Sequence, residues 1–317
     1  MPEQKHFPIA SRRSPLAMKQ AELVQAMIAN TADVDASQAP VRDFVSSGDK
    51  NLSGSLAEIG GKGLFTKEIE EALLTGEVRF AVHSMKDMPA VSPPGLVMAA
   101  IPAREDPRDV FISSAAASPW DLPQGAKIGS ASVRRIAQVL ARRPDISAVT
   151  LRGNVQTRLQ KLKDGVADGT FLALAGLNRL GMAAKATAIL EPDDMLPAVG
   201  QGALCVQCRE DDKEAREIAA AFHCSKTAAC IAIERAFLAG LDGSCRTPIA
   251  GLAVIEHGEI KFRGELLSLD GMRRFTVTCS VPYTEGSNDK AEKAGAAAAA
   301  EIRAEAGEAF FEQLAHL

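Results

Sequence analysis

Along the first quarter of the chain, hydrophobic positions recur with two different periods. "HFPIAS" and "VRDFVSSGD" are short runs typical of strands, whereas the apolar residues of "SPLAMKQAELVQAMIAN" recur with helical spacing. Ser14 followed by Pro15 is typical of a helix N-cap and the first helical residue. "LFTKEIEEALLTG" predicts a second helix that Gly76 closes, and "VRFAVHSMKD" predicts a strand that runs into a loop. This order predicts an open α/β sheet.

The same alternation starts again further along the chain. "AKIGS" and "SAVTLRGN" predict strands, "SVRRIAQVLARR" and "VQTRLQKLKDG" predict helices, and "GTFLALAGLNRLG" returns to the sheet. Two stretches that contain proline and charge, "AAIPAREDPRDVF" and "EPDDMLPAVGQGAL", flank this second unit and suit crossings between the two. The strand after the second crossing can rejoin the first unit, so we expect two lobes that face a cleft.

The pattern changes from about residue 225. "SKTAACIAIERAFLAGL" predicts a helix, and three alternating segments come later, separated by "HG" at 257–258 and "DG" at 270–271. Both dipeptides are typical of hairpin turns, so these segments predict a three-stranded antiparallel meander. The tail from about residue 289 is rich in Ala and Glu and predicts a covering helix.

The composition is that of an ordinary globular protein. Of 317 residues, 46% are hydrophobic and 24% are charged, and the formal net charge is −4. A negative net charge argues against general nucleic-acid binding, so any anion site has to be a local cluster of Arg and Lys. No apolar run is long enough to cross a bilayer, and the N-terminal residues have no apolar core of signal-peptide length. We therefore expect a cytoplasmic protein with neither nucleic acid nor membrane as partner.

Six cysteines in a cytoplasmic protein are expected to be reduced thiols. Cys205 and Cys208 form a CxxC, but their stretch alternates like a strand, in which residues three apart point to opposite faces. Neither a second CxxC nor a suitably spaced histidine pair accompanies them. We interpret these two as core or structural cysteines and expect no metal site.

Cys245 differs from the other cysteines because it stands in a loop of small residues, "LDGSCRTPIAG". Asp242 and Gly243 form turns readily, and Pro248 cannot rejoin a helix. The sequence therefore predicts an accessible thiol.

Serine and arginine recur where each predicted lobe passes from strand to helix, in "IASRRS" and "IGSASVRR". Free N–H groups at a helix N-terminus bind anions, and arginine binds carboxylate through two parallel hydrogen bonds. Two such junctions facing each other suggest a ligand with several carboxylates. Further arginines near strand ends of the second lobe support this, although any one alone fits a solvated helix face: Arg134, Arg135, Arg152, Arg158 and Arg179.

Lys86 and Asp87, in "HSMKDMP", lie at the C-terminal end of a predicted strand, where open α/β sheets bind ligands. A surface turn with a solvated ion pair is the alternative. His83 in the same stretch is interpreted as a hydrogen-bonded structural histidine. In "GGKG" a glycine follows the lysine, where a phosphate loop needs Ser or Thr, so a flexible lid carrying Lys62 is the better interpretation.

Eight stretches occur together and in order: "SRRSPLA", "GGKGLFTKEIE", "HSMKDMP", "GSASVRRIAQ", "LRGNVQTRL", "ALAGLNRLG", "VGQGAL" and "LDGSCRTPIAG". In this arrangement the chain resembles the porphobilinogen deaminases, also called hydroxymethylbilane synthases. The resemblance runs from about residue 7 to beyond residue 255, and the tail fits it in length and pattern.

The resemblance implies an α/β fold with two lobes like type II periplasmic binding proteins, a doubly crossed linker, and a small α+β C-terminal domain with a three-stranded antiparallel sheet and helices. Lobe 1 would comprise residues 1–104 and 199–221, lobe 2 residues 105–198, and the C-terminal domain residues 222–317. The resemblance further implies a monomeric transferase of tetrapyrrole and haem biosynthesis. It would join four porphobilinogens head to tail into hydroxymethylbilane and release ammonia.

The resemblance also implies roles for individual residues. Cys245 would carry a dipyrromethane cofactor through a thioether, because the deaminated pyrrole is a soft carbon electrophile. Asp87 would stabilise cationic pyrroles and assist proton transfer. Lys62 and Phe65 would lie on a mobile loop over the site. The other residues that would bind cofactor or substrate are Arg12, Ser14, Ser84, Lys86, Ser130, Ser132, Arg134, Arg135, Arg152, Arg158 and Arg179.

Two other classes of protein are open to the same sequence. A non-catalytic bilobal binding protein for a polycarboxylate ligand would have the same lobes, since fold alone does not determine function. The loop around Cys245 would have no purpose in such a protein. A metal-binding regulatory protein built on the cysteines lacks the required ligand spacing.

Overall fold

The computed structural model describes residues 6–45, 66–89, 91–243 and 247–315. The described strands form three β-sheets, and the chain divides into two compact units. The first unit holds the described residues up to 105 together with residues 203–227. The second unit holds residues 106–202 and the described residues from 228 onward.

The described elements are numbered in chain order. The strands are β1 (Ile9–Arg12), β2 (Val41–Phe44), β3 (Phe80–Ser84), β4 (Leu96–Ala100), β5 (Asp109–Ser113), β6 (Lys127–Gly129), β7 (Ser147–Val149), β8 (Gly169–Ala173), β9 (Ala188–Leu190), β10 (Leu204–Arg209), β11 (Ile249–Glu256), β12 (Glu259–Leu267) and β13 (Arg274–Pro282). The α-helices are α1 (Pro15–Ala32), α2 (Lys67–Leu74), α3 (Val133–Arg142), α4 (Val155–Lys163), α5 (Leu174–Arg179), α6 (Lys213–Ala220), α7 (Ser225–Gly240), α8 (Asn288–Ala306) and α9 (Glu308–Ala315).

The first unit is built on a five-stranded sheet of order β2-β1-β3-β10-β4. Strand β1 pairs in parallel with β2 and β3, whereas β10 runs antiparallel to β3 and β4. Val24 of α1 and Ala215 of α6 belong to the apolar cluster on one face, and Leu73 of α2 belongs to the cluster on the other. Because β1 and β3 are parallel, their last residues, Arg12 and Ser84, lie at the same edge of the sheet.

The second unit repeats this topology. Its five-stranded sheet has the order β7-β6-β8-β5-β9, with β6 parallel to β7 and β8, and β5 antiparallel to β8 and β9. The antiparallel strand is in each case the one on which the chain enters or re-enters the unit: β5 follows residue 105, and β10 follows residue 202. The prediction of two α/β lobes and a chain that crosses twice is confirmed.

The third sheet is the predicted antiparallel meander, β11-β12-β13, and it packs on α7 and α8 within the second unit. His257 and Gly258 both have positive φ, 51° and 80°, as the first hairpin turn requires. In the second turn Gly271, with φ 74°, contacts helix α3. A Cβ there would lie 2.4 Å from the backbone nitrogen of Ala141, so only glycine fits this close approach.

Several local differences separate the structure from the sequence predictions. The stretch "AAIPAREDPRDVF" is not a crossing throughout, because it begins in β4 and ends in β5, whose Val110 and Phe111 are fully buried. The tail contains two helices instead of one, since Gly307 with φ 76° ends α8. Helix α6 was not predicted. Its apolar face is short, with Ala215, Ile218 and Ala219 buried.

The CxxC cysteines agree with their prediction as core residues. Cys205 and Cys208 lie in β10, and both are fully buried thiols outside any disulfide. Burial raises the pKa of the Cys208 thiol to about 11, and Asp212 adds to this effect. Neither thiol is therefore suited to act as a nucleophile.

Among the described helices, none combines the length and the apolar character needed to cross a membrane.

Candidate functional site

A cavity of the first unit lies where β1 and β3 end, beside the start of α1. It brings together five of the residues singled out in the sequence, Arg12, Ser14, Ser84, Lys86 and Asp87. The other residues that line it are Leu16, Ala17, Gln20, Thr66, Val82 and His83. The position agrees with the general location of ligands at strand ends of open α/β sheets.

Asp87 reaches this cavity from a 3-10 turn, Met85–Asp87, that directly follows β3. The turn is held by two backbone hydrogen bonds, from the N–H of Met85 to the carbonyl of Ala203 at 3.0 Å and from the N–H of Met88 to the carbonyl of Met85 at 3.1 Å. The Asp87 carboxylate lies 3.8 Å from a terminal nitrogen of Arg12. The side chains of Asp87 and Arg12 remain 30% and 24% exposed, so both can still contact a ligand.

Gln20 and the two serines form the polar wall of the cavity. Ser14 caps α1, with its Oγ accepting from the N–H of Ala17 at 3.2 Å, as the sequence predicts. Gln20 donates to the Oγ of Ser84 at 3.0 Å. Gln20 was not singled out in the sequence. The available signal was a polar residue on the buried stripe of a helix, next to Ala21 and Val24.

Behind the cavity lies a line of buried polar side chains from β3, β10 and α2. His83 is hydrogen-bonded through Nε2 to Oε1 of Gln207 at 3.1 Å, in agreement with its interpretation as a hydrogen-bonded histidine. Nε2 of Gln207 donates to Glu70 at 3.4 Å, and Thr66 donates to the other oxygen of Glu70 at 3.2 Å. Burial lowers the pKa of His83 to about 4, opposed by Gln207 and assisted by the charge of Arg12. The imidazole is therefore neutral near pH 7.

The second unit contains a buried ion cluster that the sequence did not reveal. Asp109, the first residue of β5, pairs with Arg134 at 2.7 Å and with Arg135 at 2.6 Å. Burial alone would raise the pKa of Asp109, but the two guanidinium groups outweigh it and hold the pKa far below the ordinary carboxyl range. Arg134 also donates to the carbonyl of Leu196, and Arg135 to that of Phe171.

Arg134 and Arg135 thus have a structural partner in addition to the ligand role predicted for them. Their side chains are only 5% and 6% exposed, and Asp109 occupies one terminal nitrogen of each. Asp109 was missed because "REDPRD" was interpreted as part of a crossing, where a carboxylate is normally solvated. Two guanidinium groups share the one carboxylate of Asp109, and the charge of Glu265 also acts on Arg134.

Two further predicted ligand contacts, Arg158 and Arg179, lie in the second unit. Arg158 is half-buried and donates from Nε to the carbonyl of Gly153 at 2.9 Å. Burial, together with the smaller effect of the charges of Arg135 and Arg152, lowers the pKa of Arg158 to about 10. Arg179, at the end of α5, donates to the carbonyl of Gly202 at 2.7 Å. The second unit therefore holds several guanidinium groups close enough to repel one another.

The two predicted serines of the second unit lie where β6 passes into α3. Ser132 caps α3, and its Oγ accepts from the N–H of Arg135 at 3.4 Å. Ser130 accepts from the N–H of Ser132 at 3.0 Å. This junction has the same construction as the one at Ser14. The remaining predicted residues, Lys62, Phe65 and Cys245, lie outside the described residues.

Comparison with known proteins identifies the family. A family model described as "Porphobilinogen deaminase, dipyromethane cofactor binding domain" matches residues 7–217, and "Porphobilinogen deaminase, C-terminal domain" matches residues 228–304. A porphobilinogen deaminase from Nitrobacter winogradskyi is 49% identical to the chain, with 96% of this chain and 94% of that protein covered. One from Paracoccus denitrificans is 47% identical, with 96% of both covered.

Among solved structures, a periplasmic substrate-binding protein of an ABC transporter from Coxiella burnetii matches with a TM-score of 0.41 and 14% identity. The match covers 69% of this chain and 92% of that one. The family models and the curated relatives agree on an enzyme, so the non-catalytic alternative is set aside. The chain therefore belongs to the porphobilinogen deaminase family, and it is a transferase of tetrapyrrole biosynthesis that makes hydroxymethylbilane from porphobilinogen with a dipyrromethane cofactor.

Proposed function

We propose that the condensation steps run in the first-unit cavity and that Asp87 is their catalytic carboxylate. The observation that carries this proposal is the convergence on one cavity of a partly exposed carboxylate, two cationic side chains and two serines, at the ends of parallel strands. Acidic and cationic groups placed side by side suit a substrate that brings carboxylates together with a developing positive charge.

The role of Asp87 follows from the charge changes of the substrate. When porphobilinogen loses ammonia, the C–N bond breaks with its electron pair on nitrogen, and the methylene carbon and pyrrole ring share a positive charge. A carboxylate at the pyrrole N–H stabilises this cation and can accept the proton that the ring must lose. Arg12 and Lys86, in the same cavity, would bind the acetate and propionate groups of the substrate.

The arginines of the second unit fit a ligand with several carboxylates. The charges of Arg135 and Arg152 both repel that of Arg158, and a bound carboxylate would relieve this repulsion. The buried Nε atoms of Arg134 and Arg135 have no hydrogen-bond partner among the described residues. The proposed set for cofactor and substrate carboxylates also includes Arg179, Ser130 and Ser132. When bound, the dipyrromethane supplies the pyrrole carbon to which the first substrate unit is joined.

The attachment of the cofactor is assigned to Cys245 on the family motif and on its loop of small residues. Lys62 and Phe65 keep their proposed place on a loop over the site. The division into lobe 1, lobe 2 and a C-terminal domain at residues 1–104 and 199–221, 105–198 and 222–317 is proposed with them.

Intact-mass spectrometry of the purified protein tests the attachment. The wild-type mass should exceed the sequence mass by two pyrrole units, and Cys245→Ser should show its sequence mass. Cys279→Ser is the matched control, because Cys279 is a half-buried free thiol in β13 without a proposed role, and it should keep the added mass. An adduct that survives in Cys245→Ser would contradict the assignment.

The protein is further proposed to act as a monomer in the cytoplasm. The monomeric state is what the resemblance of the chain to the porphobilinogen deaminases implies. Light scattering of the purified protein and fractionation of the cells that make it test these two statements.

A further inference from the structure

The line of buried polar groups behind the cavity, Thr66, Glu70, Gln207 and His83, is unused by the proposed chemistry. Gln207 is fully buried, and Glu70 and His83 are 7% and 5% exposed. Placing such groups in a core is costly unless each finds partners, so their arrangement constrains how each must be oriented.

Glu70 determines the orientation of the Gln207 side chain. A carboxylate oxygen accepts hydrogen bonds, and the group of Gln207 that faces Oε1 of Glu70 is the amide nitrogen, at 3.4 Å. The reverse orientation would place two acceptors against each other in a buried site. Oε1 of Gln207 is therefore the atom that faces His83.

The orientation of Gln207 in turn selects the tautomer of His83. Because Oε1 can only accept, Nε2 of the imidazole must carry the proton and donate it. In a neutral imidazole the other nitrogen, Nδ1, then carries a lone pair and is an acceptor. Nδ1 has no hydrogen-bond partner among the described residues, and His83 lines the cavity that contains Asp87.

We propose that His83 is a ligand-binding residue whose Nδ1 accepts a hydrogen bond from a pyrrole N–H of the substrate in the first-unit cavity. This inference rests on the proposal that the condensation steps run in that cavity. A neutral N–H group fits beside Nδ1 of His83 better than an ammonium group does. The positive charge of Arg12 acts on His83 and would repel a second cation there. In this arrangement the Asp87 carboxylate balances the positive charge of the pyrrole cation. The His83 imidazole positions a neutral pyrrole ring.

Two substitutions separate the two nitrogens. The side-chain amide of Asn reaches about the position of Nδ1, and that of Gln about the position of Nε2. His83→Asn therefore keeps an acceptor toward the cavity and loses the contact with Gln207, whereas His83→Gln keeps that contact and loses the acceptor. We expect kcat/KM to fall about tenfold in His83→Gln and by no more than about threefold in His83→Asn. Thermal melts should show the opposite order, with His83→Asn the less stable variant.

The tautomer gives a readout that does not depend on activity. In ¹⁵N-histidine NMR spectra of the wild-type holoenzyme, the resonance lost in both variants belongs to His83 among the five histidines of the chain. It should show a protonated Nε2 and an unprotonated Nδ1. A protonated Nδ1, or an activity loss in His83→Asn that equals or exceeds the loss in His83→Gln, would overturn the inference. Neither result would touch the assignment of Asp87, which is tested separately by the activity of Asp87→Asn.

Discussion

The two five-stranded sheets have the same strand order, but the ion pairs beside them differ in distance and in burial. Each has a strand that passes into a serine-capped helix next to arginines, at Arg12 and Ser14 in the first unit and at Ser132 and Arg135 in the second. In the first unit, Arg12 and its carboxylate partner Asp87 are 3.8 Å apart and partly exposed. In the second unit, Arg134 and Arg135 are bound closely to a fully buried Asp109.

The partly exposed ion pair of the first unit and the fully buried one of the second unit suit different roles. A partly exposed and loosely paired carboxylate can exchange its partner for a substrate cation, as its proposed catalytic role requires. A fully buried pair cannot change partners cheaply, but it holds guanidinium groups in fixed positions, as the ligand role proposed for them would require. We therefore expect substitution of Asp87 to reduce turnover with little effect on stability, and substitution of Asp109 to reduce stability.

The largest effect on activity is expected from Asp87→Asn. The amide is nearly isosteric but can neither balance a pyrrole cation nor accept its proton, so kcat should fall about 10²- to 10⁴-fold. Because Asp87 is partly exposed and its ion pair with Arg12 is long, the melting temperature should change little. Steady-state kinetics and a thermal melt on the same preparation check both parts. Activity within a few-fold of wild type would show that another group performs this role.

The matching test in the second unit is Asp109→Asn. Removing this carboxylate leaves two buried guanidinium groups without their counter-charge, and breaking such a buried pair costs about 3–5 kcal/mol. Urea denaturation should show this loss. Asp194→Asn is the control: Asp194 pairs with Arg142 at a similar distance, 2.9 Å, but both side chains are 43% exposed, so the loss should stay below about 1 kcal/mol. Equal losses in the two variants would show that the buried cluster contributes no more than a surface pair.

The sequence was sufficient for those parts of the fold that local patterns determine. The cap at Ser14, the turns at residues 257–258 and 270–271, and the return of β10 to the first sheet all follow from periodicity and turn residues. The sequence was insufficient where the burial of a segment by distant parts of the chain determines its secondary structure. "DVF" in β5 looked like part of a polar crossing until the pairing of β5 with β8 and β9 made it a central strand.

The same reason explains which parts of the site the sequence missed. Asp87, Arg12 and Ser84 lie at strand ends, and a strand end can be read from a pattern. Asp109 and Gln207 act through contacts with residues far away in the chain, and no local pattern indicates which buried polar groups meet. The roles of the arginines in the second unit could be proposed from the motifs, but their sharing of one carboxylate could not.

A third test uses pH to separate the two units. The pKa of His83 is about 4 in the folded protein, below the ordinary value of 6.5, so between these values the unfolded state binds the extra proton. Stability is therefore lost as pH falls from about 6.5 to 4, by about 3 kcal/mol for this group. The pKa of Asp109 is also depressed, so its contribution persists in this window and declines only at lower pH.

The measurement is the difference in unfolding free energy between wild type and His83→Gln as a function of pH. This difference should change by about 3 kcal/mol between pH 6.5 and 4 and level off below, because the amide does not titrate. Asp109→Asn should show no such change relative to wild type in the same window. A flat difference for His83→Gln would mean that the imidazole titrates normally in the folded protein.

The smallest expected effects concern Ser14 and Ser132, the serine N-cap of α1 in the first unit and that of α3 in the second unit. Removing an N-cap hydroxyl costs about 1 kcal/mol, so Ser14→Ala and Ser132→Ala should each lower the unfolding free energy by about this amount. Both serines are also proposed ligand contacts, so the kcat/KM of each variant should fall as well.

Ser118→Ala is the control, because Ser118 caps a 3-10 turn, Pro119–Asp121, through the N–H of Trp120 at 3.2 Å and has no proposed ligand role. It should lose comparable stability and keep its activity. A loss of activity in Ser118→Ala as large as in the other two would show that weakening a cap, and not losing a ligand contact, accounts for all three.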